Sequence, residues 1–169
     1  MPDRRQFVSM AVFAGAALLV NAQTQSTPTT PAAAQDAIHP RPPALDASLV
    51  KEYVIAGHVD LDKVKSMLAK EPGLLNAAWD WGGGDFEMAI GGAGHMGRAD
   101  IANYIISQGG RFDVFVAAML GRLDIVKNAL TAFPNLAQSK GPHGIPLLVH
   151  AQKGGDNALD VVKFLESLK

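Results

Sequence analysis

The chain has 169 residues, 48% hydrophobic and 18% charged, with a formal charge of -1, a composition that suits one globular domain with a real core. So neutral a body excludes phosphate-backbone recognition, which needs a basic face, and a polybasic membrane surface. The lack of cysteine excludes disulfides, thiolate metal sites and a cysteine nucleophile.

Residues 1–22 read as an address. Arg4 and Arg5 form a basic start, and Phe7 to Val20 is an apolar run of 14 residues broken only by Ser9. Val20-Asn21-Ala22 places small or apolar residues before a cut after Ala22. That is the three-part pattern of a secretory signal, and the run is short of the ~20 residues a membrane-spanning helix needs. Arg4-Arg5-Gln6-Phe7-Val8 resembles the bacterial twin-arginine export signal, departing from it at Asp3, where Ser or Thr is preferred. The resemblance implies export of a folded chain to the periplasm, with no membrane attachment once the signal is cleaved. A general secretory signal and an uncleaved anchor are the alternatives. Residues 23–47 are a tether, with Pro28, Pro31, Pro40, Pro42 and Pro43 set among Thr, Gln, Ala and Ser. Such a segment buries too little apolar surface to offset its ordering entropy.

From Leu49 the pattern is one of paired helices. Leu49 to Gly57 precedes Asp62 to Lys70. Met88 to Gly97 precedes Asp100, with Ile101, Tyr104 and Ile105 as a buried stripe. Phe112 to Gly121 forms a short helix closed by glycine, and Asp124 starts the next one by accepting from its free amides. Ile125, Val126, Ala129, Leu130 and Phe133 are its expected buried stripe, and Pro134 stops it. Ile145 to Gly154 precedes Asp160, with Val161, Val162, Phe164, Leu165 and Leu168 buried. The copies repeat in detail. Asp62, Val64, Lys65, Leu68, Pro72 and Leu74 match Asp124, Val126, Lys127, Leu130, Pro134 and Leu136 at a constant offset of 62 residues.

These residues resemble the ankyrin repeat. Ile145 to Gly154 keeps Pro146, Leu147, Ala151 and Gly154 of that family's first helix, with Leu148 in place of its His and His150 in place of its first Ala. Phe112 to Gly121 keeps Ala117, Ala118 and Gly121, and Met88 to Gly97 keeps Ala93 and Gly97. Asp124 to Leu130 matches the second helix. The resemblance covers residues 48–169 and implies an all-α solenoid of about four helix-turn-helix repeats. The steps between the repeated aspartates are 38, 24 and 36 residues, against ~33 for the family. The short step implies that the hairpin between repeats two and three is nearly deleted. The long ones put extra loop at Asn76–Asp85 and Gln138–Gly144. Ankyrin proteins bind other proteins as a family, so the resemblance implies a non-enzymatic monomer that holds a periplasmic partner protein on a concave face.

On that face the expected contacts are Trp79, Trp81, Asp85, Glu87, His95, Met96, Met119 and Leu120. Trp anchors many interfaces, and an exposed Met119 with Leu120 forms an apolar patch. Against this stands packing of the indoles over the stack and of Met119 and Leu120 on a neighbouring loop. A competing motif is Gly92-Ala93-Gly94-His95-Met96-Gly97, a literal dinucleotide fingerprint with Asp113 19 residues after Gly94. It makes a small exported NAD(P)-dependent oxidoreductase the alternative, with Phe112 to Val116 as its next strand. His143 and His150, with Asp156, would make a zinc shell if they met. Neither they nor His39, His58 and His95 show a metalloenzyme spacing, so no metal, cofactor or catalytic residue is expected.

Overall fold

The computed structural model describes residues 42–168. The address with Arg4, Arg5 and Ala22, and the tether as far as Arg41, lie outside the described residues. The described part runs α1 (Ala47–Val59), α2 (Leu61–Lys70), β1 (Ala78–Asp80), β2 (Phe86–Met88), α3 (Ala89–Met96), α4 (Ala99–Ser107), α5 (Val114–Met119), α6 (Leu123–Ala132), α7 (Leu147–Lys153) and α8 (Leu159–Glu166). Single 3-10 turns follow α2 and α6, each begun by its proline, Pro72 and Pro134.

Local chemistry accounts for most of these boundaries. The Asp46, Asp60 and Asp113 carboxylates cap α1, α2 and α5 by accepting from the amides of Leu49, Lys63 and Val116, satisfying donors that have no partner inside the helix. The repeated aspartates do something else. Asp124 is the second residue of α6 and accepts no capping bond. It pairs instead with Arg122 at 3.0 Å, as Asp100 does with Arg98 at 2.7 Å. The starting role expected of Asp124 is therefore corrected: the acid still faces the positive end of the helix dipole, but as a clamp on the preceding arginine.

The four helix pairs stack in order. The first helices pack side by side, α1 on α3, α3 on α5 and α5 on α7, and each second helix lies against its own first. Tyr53, Val54, Val64, Leu74, Ile90, Ala93, Ile101 and Ile105 fill one core around the first two pairs. Ala117, Ala118, Val126, Leu130, Leu147, Ala151, Val161 and Leu165 fill another around the last two. Glycine lets the backbones approach. Gly121 turns the chain after α5 with φ of +71°, a conformation that disfavours other residues. Gly154 takes an ordinary φ of -72°, and its need is clearance, since a Cβ there would overlap the Met119 carbonyl of the neighbouring helix.

Two expected core residues lie outside. Phe133 is 66% exposed, because Pro134 forces the residue before it out of the helix into extended backbone, where φ is -135°. Leu168 lies beyond the end of α8 and is half exposed. The stretch expected to be helical from Phe112 starts only at Val114, after the Asp113 cap.

The all-α expectation also needs correction. The extra loop at Asn76–Asp85 contributes to an antiparallel hairpin with Trp79 opposite Glu87 and Asp80 opposite Phe86. Gly82, Gly83 and Gly84 all have positive φ and make its turn. The described chain is mostly helical with this one small hairpin. Residues 108–113 join α4 to α5 without strands, as the short repeat step implies. The second long insert folds back through a bridge between Lys140 and Pro146, with His143 at its tip at φ of +59°. Among the described residues no helix is long and apolar enough to cross a membrane.

Candidate metal centre

The hairpin register decides where the chemistry lies. Side chains alternate along a strand, so Phe86 points to solvent, 64% exposed, while Glu87 points inward and is 1% exposed. A buried carboxylate must be paired or hydrogen-bonded. Glu87 meets three histidines and one indole. His95 on α3 brings Nε2 to 2.9 Å from Glu87 Oε1, and Trp81 donates its Nε1–H to Oε2 at 2.8 Å. His58, in the last turn of α1, places Nε2 at 3.4 Å from Oε2, and His143, at the loop tip, places Nε2 at 3.3 Å. Donor atoms of His58, Glu87, His95 and His143 all lie within 4.8 Å of one another.

The far sides of two rings fix their tautomers. His58 Nδ1 lies 2.9 Å from the Val54 carbonyl, which can only accept, so Nδ1 carries the hydrogen. His143 Nδ1 lies 2.8 Å from Asp85 Oδ2, and Asp85 Oδ1 accepts the His143 backbone N–H at 2.9 Å. In their neutral forms both rings therefore present a bare Nε2 lone pair toward a carboxylate oxygen. Lone pairs repel there unless a positive charge stands between them. A proton on one of the facing groups, or a cation between them, relieves that repulsion.

The titration shifts follow the same geometry. Burial pushes the Glu87 pKa up, but the His95 hydrogen bond, the His58 charge and the Trp81 indole outweigh it and hold the group below its ordinary value. Burial pulls His143 down, yet Asp85 and the Glu87 charge leave it raised. The two hydrogen bonds from His143, the backbone one foremost, lower Asp85.

Of the glycines in the apparent dinucleotide fingerprint, Gly92 serves this cluster. Gly92 and Gly94 lie inside α3 and not in a strand-to-helix turn. A Cβ on Gly92 would stand 2.6 Å from the Cε1 and Nδ1 atoms of His58, whereas one on Gly91 would make only ordinary contact with Glu87 and Pro142. Gly97 closes the helix with φ of +73°. Phe112 to Val116, the strand that fingerprint would need next, ends in the start of α5, and Asp113 is that helix's cap. No phosphate cradle forms at this segment.

The eight residues expected on a contact face divide. Glu87 and His95 are buried in the cluster, and Met119 is 1% exposed in the core, which corrects the apolar patch expected of Met119 and Leu120. Leu120 and Trp79 are half-buried and pack on the first core. Trp81 (37% exposed) and Met96 (46%) reach solvent, and Asp85 holds His143. Lys51 lies over both indoles, its Nζ 5.3 Å from the Trp79 ring and 6.0 Å from that of Trp81. The set of His143, His150 and Asp156 is also corrected: His143 joins His58 and His95, while Asp156 sits on an exposed turn outside the cluster. Sequence spacing missed this set because its members come from a helix end, a strand, a second helix and a loop. The strand offers only Phe86 and Met88 around Glu87, too short a run to mark the acid as inward.

Compared with known proteins, the chain matches no family model, no curated protein and no solved structure.

Proposed function

We propose that this chain is an exported helical-repeat protein of the ankyrin type that holds one divalent transition-metal ion between His58, Glu87, His95 and His143. The observation that carries the reading is the convergence of bare imidazole nitrogens on a buried carboxylate. Imidazole with a single carboxylate suits zinc, copper, nickel or iron in preference to magnesium or calcium, which want oxygen. Zinc bonds nitrogen at ~2.0–2.1 Å, so neighbouring donors of a tetrahedral shell stand roughly 3.3 Å apart. The contacts from the three Nε2 atoms to the two Glu87 oxygens are of that size, at 2.9–3.4 Å, and the whole set, within 4.8 Å, draws together on binding. The outer groups are those a metal site uses: Val54 O and Asp85 orient His58 and His143, as carbonyls and carboxylates orient ligating imidazoles elsewhere. Export is supported by the signal pattern at the amino terminus, and the ankyrin relationship by the four stacked pairs, three of whose first helices end at glycine.

The test is a titration of chelator-stripped protein with Zn(II), followed by calorimetry and thermal unfolding. One ion per chain and a rising midpoint are expected, since an ion at 100 times its dissociation constant adds about 2.7 kcal/mol. No binding and an unmoved midpoint would remove the reading. Asp85→Asn should weaken zinc about 10- to 100-fold, the usual cost of losing an outer carboxylate, with the fold intact because Asp85 is one-third exposed. Equal affinities in the two proteins would show that Asp85 does not orient a ligand.

A docking platform for another protein is the second reading. The exposed Trp81, Phe86 and Met96 favour it, as does the binding habit of ankyrin proteins. Holding a metal and holding a partner are compatible on one stack.

A further inference from the structure

A fifth imidazole stands beside the cluster. His150 on α7 is 1% exposed. Its Nδ1 lies 3.2 Å from the Pro146 carbonyl and so carries the ring hydrogen. Its Nε2 is then a bare acceptor, and it has no hydrogen-bond partner among the described residues. Leaving a buried acceptor unpaired is costly, and such a group in a native fold calls for a water or an ion.

Two glycines show which way the ring edge faces. A Cβ on Gly94 would meet His150 Cδ2 at 3.7 Å, and one on Gly141 would meet Cε1 at 3.1 Å. Nε2 is bonded to both of those ring carbons, so that edge of the ring lies between Gly94 and Gly141, with Phe115 packed beside it. Gly94 adjoins the ligand His95, and Gly141 opens the loop that carries His143. The His95 and His150 rings stand perpendicular with centroids 6.4 Å apart, too far for a direct bond between them and near enough for one water. Burial lowers the His150 pKa.

We infer that the metal keeps a solvent ligand on its inner side, and that His150 positions that solvent by accepting its hydrogen at Nε2. The inference rests on the metal reading above. It makes the centre an open one, with four protein ligands and an exchangeable water, unlike the closed four-ligand shells that only hold structure. His150 is a positioning residue here: it touches the solvent and not the ion. A bound ion would supply an acidified water there, and His150 Nε2 would hold its hydrogen.

Cobalt(II) separates the possibilities, because a four-coordinate ion absorbs visible light more strongly than a five-coordinate one. The full-length protein is stripped and loaded with one equivalent of Co(II). The weak bands of a five-coordinate ion are expected in the wild type. His150→Phe fills the space without an acceptor, and its bands should strengthen about twofold or more as the shell closes to four, with cobalt content unchanged. His150→Gln keeps an acceptor and should retain the wild-type spectrum. Strong four-coordinate bands in the wild type would overturn the solvent ligand while leaving the metal reading in place. Weak bands that persist unchanged in His150→Phe would overturn the role of His150. Failure of the wild type to bind cobalt or zinc at all would overturn the metal reading, and this inference with it.

Discussion

Glu87→Gln should abolish metal retention and lower the stability of the metal-free protein by about 3 kcal/mol, the lower end of the cost of breaking a buried ion pair. The carboxylate is 1% exposed and is contacted by His58, His95, His143 and Trp81. An amide of the same shape keeps one acceptor oxygen, so it cannot accept from both Trp81 and His95 as the two carboxylate oxygens do, and it removes the carboxylate charge at the centre of the cluster. Urea unfolding with an unchanged slope and a lower midpoint is the measurement. A loss under about 1 kcal/mol would fit an ordinary hydrogen bond and would show that no charge is stored there.

The pH behaviour has two sides. Glu87 titrates below its ordinary value in the fold, so its stabilisation is present above the unfolded pKa and is lost as acid carries the protein down through the folded one. His143 titrates above its ordinary value. Its contribution is complete below the unfolded pKa near 6.5 and disappears as pH rises through the folded value. The metal-free cluster is therefore most stabilising at mildly acidic pH. An ion needs the same nitrogens unprotonated, so metal affinity should climb where the stabilisation from His143 fades. An ion would take over the charge that protons supply in acid.

Much of the stack was legible in the sequence because repetition is a property of the whole chain. The offset between Asp62–Leu74 and Asp124–Leu136, with glycines ending three of the first helices, was enough to divide the body into pairs. What the pattern could not resolve was position within a motif. Asp124 reads as a cap by residue type, yet the chain places it one turn-step inside, paired with Arg122. Phe133 has helical spacing, but Pro134 sets its backbone. The cluster was hidden for a different reason. His58, Glu87, His95 and His143 come together only when β1 and β2 pair and the 141–144 loop folds over them, and both inserts read as surplus loop. A three-residue strand is too short to show alternation, so nothing marked Glu87 as an inward acid.

Gly92→Ala should cost the protein its metal with little change in fold, weakening zinc at least about 100-fold, the upper range for loss of an outer-shell group and a lower bound for displacing a ligand. Gly92 is one helical position among several, and alanine by itself would favour the helix by ~1 kcal/mol. The new methyl, however, would stand 2.6 Å from His58 Cε1 and Nδ1, closer than any atoms tolerate. The ring is the part that can give way. Moving it breaks the bond from Nδ1 to Val54 O and takes Nε2 away from Glu87. Overpacking of this kind costs ~1–3 kcal/mol, partly offset by the helix preference, so the net fall in stability should stay under about 2 kcal/mol. Calorimetric zinc titration beside urea unfolding separates the two effects. Lost affinity with near-native stability would tie Gly92 to the placement of His58. If the variant keeps full zinc affinity, His58 is not a ligand and the centre must be redrawn with three donors.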